Sequence, residues 1–128
     1  MTKKIIHTSK APEPVGPYNQ AIEIKDTLYV SGQIALNASL GKLVSDAVKE
    51  QTVQVLENIK AILDAAGYSM SDVVKCSIFI QDMNDFSSIN EVYATYFDEV
   101  TAPARETVEV ARLPKDAKVE ISCIAVKN

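Results

Sequence analysis

The run KVEISCIAV, positions 118 to 126, most constrains what this chain can fold into. Read as a strand it is apolar on both faces, with Glu120 interrupting it. Such a strand calls for cover on both of its faces. Only two stretches of the chain carry a helical period. From Ser45 to Ala66, the residues Val48, Thr52, Val55, Ile59 and Ile62 step by four and three, and Leu56 and Leu63 widen the stripe. Ser45 or Asp46 can cap its start, and Gly67 suits the left-handed position past its end. DMNDFSSINEVYATYFDEV reads as the second helix, with Phe86, Ile89, Tyr93, Tyr96 and Phe97 on its apolar side. Two such helices cover one face of a sheet. The other face is polar or meets a partner subunit, and the double-sided KVEISCIAV favours the partner. An oligomer is expected.

The remaining elements are strands. KKIIHT opens the chain, and APEPVGPY follows as an irregular loop with three prolines and a glycine. AIEIKDTLYVSGQ gives two alternating runs turning at Lys25-Asp26. SDVVKCSIFIQ places Val74, Cys76, Ile78 and Ile80 on one face, with Val73, Lys75, Ser77 and Phe79 on the other. ETVEVA precedes the final strand. The order β-β-β-α-β-α-β-β predicts an α+β protein, with a single mixed β-sheet and both helices on one face. At 128 residues it is expected to be a single domain spanning 1–128.

Composition narrows the chemistry. A net charge of -4 gives no footprint for a nucleic-acid partner. No stretch is long and apolar enough for a signal peptide or a membrane span, so the expected location is cytoplasmic, with no membrane partner. One histidine and two separated cysteines, Cys76 and Cys123, make a metal site improbable. A disulfide between them is geometrically possible, although both read as small buried hydrophobes. Neither a P-loop nor a dinucleotide-binding motif is present, and no cofactor is expected. Chemistry then rests on Arg, Glu, Asn, Ser, Tyr and backbone groups.

Several residues break their local pattern. Arg105 and Thr107 share one parity of PARETVEVARLP, opposite to Val108 and Val110. A guanidinium is costly to bury unless an anion meets it. Glu120 interrupts its own strand in the same way. The two either form a cross-strand pair, worth little if exposed, or converge on a cleft with Arg105 taking a carboxylate and Glu120 holding a water. Asn90 falls in the apolar stripe of the second helix, where a buried amide needs partners. Tyr18 ends the proline loop at GPY. SGQ, positions 31 to 33, ends a strand with the hydroxyl of Ser31 and with Gly32, which lets a ligand approach the backbone or simply marks a bulge. His7 reads as a surface residue.

Together GPY, SGQ, DMNDF followed by Asn90, PAR, and VARLPKD with the downstream Glu120 resemble the Rid family, the reactive intermediate deaminases also called the YjgF family. The resemblance runs over almost the whole chain. It implies a chorismate-mutase-like fold, a homotrimer, and ligand clefts at the subunit interfaces. It also implies hydrolysis of 2-iminobutanoate and 2-iminopropanoate, which leak from pyridoxal-phosphate dehydratases, to 2-keto acids and ammonia. On that resemblance Arg105 clamps the substrate carboxylate and Glu120 orients the attacking water. Tyr18 walls the cleft, Ser31 and Gly32 contact the ligand, and Asn90 frames the pocket. The usual PARSC is PARET here, which puts Glu106 away from the cleft and Thr107 inside it. Two other readings remain: a non-catalytic binder of small carboxylates such as 2-keto acids, and a ribonuclease, which the acidic charge and single histidine disfavour.

Overall fold

The structure, a computed structural model, describes residues 2–127. Among them six strands form one sheet in the order β1-β2-β3-β6-β4-β5. These are β1 (Lys4–Ile6), β2 (Ala21–Ile24), β3 (Thr27–Gln33), β4 (Val73–Ile80), β5 (Ala104–Glu109) and β6 (Val119–Val126). Helix α1 (Val48–Ala66) joins β3 to β4, and α2 (Phe86–Tyr93) joins β4 to its parallel neighbour β5. The other pairings are antiparallel, so the sheet is mixed. The last strand, β6, inserts between β3 and β4. That central place is where a strand apolar on both faces belongs.

The helices bury one face. Val55, Leu56, Ile59, Ile62 and Leu63 of α1 pack with Ile89 and Tyr93 of α2 over Cys76, Ile78 and Ile80 of β4 and over Val119, Ile121, Cys123 and Ala125 of β6. Each large aliphatic side chain buried there contributes about 1.5–3 kcal/mol. Cys76 and Cys123 face one another across β4 and β6 as free buried thiols. The opposite face has no helix over it. Ile5, Ile22, Tyr29 and Ile124 lie in register across four strands there, and Ile5 and Tyr29 are largely exposed. No helix among the described residues is long and apolar enough to cross a membrane.

Three local readings are corrected. The second helix is short, running only from Phe86 to Tyr93; Tyr96 and Phe97 pack from the turns that follow. In β4 the pairing with β6 shifts between Val73 and Lys75, so Val73 is buried and Val74 is exposed, the reverse of strict alternation. Helix α1 begins after Ala47 rather than at Ser45 or Asp46, because the Ser45 hydroxyl accepts the Ala47 N–H and the Ser45 carbonyl is taken by Gln51 Nε2. Its other end is as the sequence suggests, with Gly67 left-handed at φ 81°.

Candidate functional site: two halves on opposite faces

Glu120 stands on the uncovered face, paired with Phe79 of β4. Beside it Gly32 leaves no room for a side chain, since a Cβ there would lie 2.5 Å from Glu120 Oε2. The proline loop closes over the same spot. Gln20, 2% exposed, gathers it: its Nε2 donates to the carbonyls of Thr8, Ala11 and Pro12, and its Oε1 accepts the Thr8 N–H at 2.8 Å. Within the loop, Tyr18 Oη accepts the Val15 N–H at 3.3 Å. The result is a mostly apolar cavity of about 150 Å³ whose walls include Tyr18, Gly32, Ile34, Leu36, Lys115 and Glu120. Burial raises the Glu120 carboxyl above its ordinary value. Lys115 and Asp116, both at positive φ, form the turn behind it, a backbone costing on the order of 1–3 kcal/mol per residue.

Arg105 lies elsewhere. In β5 it pairs with Cys76, so it faces the helices. Its guanidinium carbon is 4.7 Å from the centre of the Tyr93 ring and 5.6 Å from that of Phe86, and Nη2 donates to Asn90 Oδ1 at 2.6 Å. Phe86, Asn90 and Tyr93 stand four and three residues apart on α2, which sets all three on one side of that helix. The cradle fixes the guanidinium by two rings and one amide. Among the described residues no carboxylate pairs with Arg105. Four of its five N–H donors remain for an anion that accepts a fork of parallel bonds.

Two buried side-chain oxygens, Tyr93 Oη and Thr107 Oγ1, have no hydrogen-bond partner among the described residues. Tyr93 Oη lies beside the Cys76 thiol, and burial, then that thiol, push its phenol well up from the ordinary value. Burial likewise raises Cys76.

Neither reading of Arg105 and Glu120 holds within one chain. They make no cross-strand pair and share no cleft. Their register partners on β4, Cys76 and Phe79, differ in parity, which puts the two side chains on opposite faces of the sheet. They also stand two strands apart, about 9.5 Å laterally. The chain brings together Tyr18, Gly32 and Glu120 in one half, and Arg105, Asn90 and Thr107 in the other. Ser31 does not line the Glu120 cavity: its hydroxyl donates to the Asn19 carbonyl at 2.6 Å, and it lines a shallow hollow that it shares with Tyr18. Asn90 is exposed, not buried, because the inward stripe of the short α2 is Ile89 and Tyr93. Glu106 does point to the uncovered face, where it meets Lys75 Nζ at 2.8 Å and the Ser77 hydroxyl. Sequence reading missed Gln20, Lys115 and the ring pair of Phe86 and Tyr93. The spacing of Phe86, Asn90 and Tyr93 could have revealed the cradle; nothing local announces Lys115. Among the described residues no three His, Cys, Asp or Glu side chains gather as a metal-ligand set.

A single mixed sheet with two helices is the architecture that this chain shares with solved structures of the YjgF and L-PSP kind. The chain belongs to the family described as Endoribonuclease L-PSP, the YjgF/Rid family, which matches residues 8–127. A RutC family protein of Pyrococcus horikoshii is 54% identical over 126 residues, covering 98% of this chain and 99% of the relative. The Escherichia coli protein named "Putative reactive intermediate deaminase TdcF" is 48% identical, covering 98% of each. Its crystal structure with bound serine superposes with a TM-score of 0.91, covering 98% of this chain and 99% of that one.

Proposed function

We propose that the protein is a hydrolytic deaminase of small 2-imino acids, 2-iminobutanoate and 2-iminopropanoate. The observation that carries this reading is Arg105, a guanidinium held by two rings and an amide with no carboxylate among the described residues to pair with. An α-imino acid presents a carboxylate beside an electrophilic C=N carbon. Two parallel charged bonds from Arg105 to the carboxylate, each worth about 1.5–3 kcal/mol, fix where that carbon lies. Glu120, with its carboxyl raised by burial, suits a base that holds a water and takes its proton as oxygen adds to the carbon. Glu120 returns that proton to the nitrogen; the new hydroxyl then gives up its proton as the C=O forms and the C–N bond breaks, and ammonia and a 2-keto acid leave.

Arg105 and Glu120 lie on opposite faces, so the working site is built from two copies, Arg105 of one and Glu120 of the next. The uncovered apolar row Ile5, Ile22, Tyr29 and Ile124 supports self-association. A ring of three copies gives three such sites. The bound serine of TdcF supports a small carboxylate ligand for the family.

The test is complementation. Arg105→Ala and Glu120→Gln are each expected to assemble and to lack the ability to suppress semicarbazide trapping of enzymatically generated 2-iminobutanoate. Unfolded together and refolded as a mixture, they recover about a quarter of wild-type activity, the fraction of interfaces carrying both native residues in a ring. Full activity in Arg105→Ala sinks the reading. No recovery in a mixture shown to contain hybrid oligomers sinks the shared site. If wild type binds 2-oxobutanoate without turnover, the carboxylate-binder reading replaces the deaminase. The family description favours ribonuclease activity, but the only histidine, His7, is paired at the surface with Glu13 at 2.7 Å. RNA cleavage that co-purifies with the protein and disappears in Glu120→Gln would favour that activity instead.

A further inference from the structure

Away from both half-sites, α1 and the stretch after β1 enclose an open hollow of about 350 Å³ that shares no wall with the Glu120 cavity. That volume lies within the range of small-molecule sites. Thr8 and Lys10 form one wall, and Glu57, Lys60 and Asp64 of α1 the other. Ala61 and Ala65 line it between them, and their short side chains leave it unfilled. The wall after β1 is held in place: Gln20 takes both the N–H and the carbonyl of Thr8, at 2.8 and 3.0 Å, and also holds the Ala11 carbonyl.

The charges around the hollow do not neutralise one another. Glu57 with Lys60, and Lys60 with Asp64, stand at the three- and four-residue spacings where ion pairs form on a helix. Neither pair is made, and Lys10 has no acidic partner among the described residues either. Glu57 is taken instead by the Tyr96 hydroxyl, which donates to its Oε2 at 2.7 Å. Two ammonium groups and the Asp64 carboxylate thus face one space without an ion-pair partner among the described residues.

We propose that this hollow binds a free α-amino acid, its carboxylate bridging Lys10 and Lys60 and its ammonium meeting Asp64. A zwitterion carries both signs on neighbouring atoms. A simple anion is repelled by Asp64, and a simple cation by the two lysines. The site uses neither Arg105 nor Glu120, so it holds whatever reaction those residues perform.

The experiment uses assembled Arg105→Ala protein, in which the guanidinium cradle takes no ligand carboxylate. L-Alanine is compared with propanoate and ethylamine, each of which lacks one of its two charges, by calorimetry and amide NMR. L-Alanine is expected to bind with a Kd on the order of 1 mM and to shift the amides of Thr8, Lys10 and Lys60. Propanoate and ethylamine bind about fivefold more weakly, the worth of one exposed ion pair. On the same background Asp64→Asn weakens L-alanine about fivefold and leaves propanoate no weaker, and Lys60→Gln weakens L-alanine by a similar factor. Both positions are exposed, so the variants melt close to the parent protein. L-Alanine that shifts no amide of the hollow overturns the proposal, as does L-alanine that binds no tighter than propanoate or ethylamine. Shifts confined to the surroundings of Tyr18 and Glu120 overturn it as well, because the ligand then occupies the other cavity. Binding unchanged in both Asp64→Asn and Lys60→Gln also overturns it.

Discussion

Replacing Gly32 with alanine is the sharpest available probe of Glu120. The added Cβ would stand 2.5 Å from Glu120 Oε2, 2.9 Å from Cδ and 3.2 Å from Cγ, where ordinary contact begins at 3.4 Å. The carboxylate must therefore retreat by about 0.9 Å. Gly32 is not in the left-handed region, so its backbone accepts alanine. The obstacle is the end of a flexible side chain. Stability then changes little: reduced unfolded-state freedom gives about 0.4–1 kcal/mol, and an off-rotamer Glu120 costs about 0.5–1.5 kcal/mol. Catalysis has no such tolerance. A displacement near 1 Å of a positioning group costs on the order of 100-fold, or about 2.7 kcal/mol of barrier. Gly32→Ala is thus expected to melt within a few degrees of wild type, to bind 2-oxobutanoate within about threefold through Arg105, and to hydrolyse 2-iminobutanoate about 100-fold more slowly. Semicarbazide competition gives the rate and calorimetry the affinity. Wild-type turnover in a folded Gly32→Ala protein would refute the role given to the Glu120 position. An equal loss of binding and turnover would mean that the glycine makes room for ligand rather than for Glu120.

Two further outcomes follow from the same half-site. Burial raises the Glu120 carboxyl, so the folded chain favours its protonated form; the resulting stability is fully present below the ordinary value of 4.5 and is lost as pH rises through the raised one. Melting curves across pH should therefore show Glu120→Gln gaining on wild type as pH rises from that value to neutrality, and wild-type turnover should rise with pH over the same window; a stability difference that is flat with pH contradicts the assignment. Gln20→Leu removes the partner of three carbonyls and one N–H of the proline loop, and urea unfolding should report a loss of about 2–3 kcal/mol with reduced turnover, since Tyr18 is no longer held; a stable, fully active Gln20→Leu protein would show that the loop organises itself.

Much of the fold was legible because the side-chain periods were clean. KVEISCIAV was legible as the last strand, and Gly67 announced the end of α1. The misreadings share a cause: periodicity reports which residues are apolar, not which backbone bonds persist. Tyr96 and Phe97 continue the apolar stripe of α2 while packing from turns, so the helix reads too long. The shift at Val73 reverses two side chains that strict alternation assigns the other way. For the site, alternation correctly put Thr107 with Arg105 and Glu106 opposite. It could not relate Arg105 to Glu120, because their relative faces depend on strand order, and the insertion of β6 between β3 and β4 is not written in either strand's pattern.

The separation of Arg105 and Glu120 also has a chemical consequence. Were the two within reach in one chain, the guanidinium would take the Glu120 carboxylate as a fork, filling the donors a substrate needs. The same contact would stabilise the carboxylate and lower its pKa, making it a poorer base. On opposite faces neither happens. Arg105 is held by rings and an amide, with no carboxylate among the described residues paired to it, and burial raises Glu120. In the proposed two-copy site, a substrate carboxylate at Arg105 would keep the guanidinium from closing on Glu120. On that proposal one ligand would supply both the anion that Arg105 lacks and the separation that Glu120 needs.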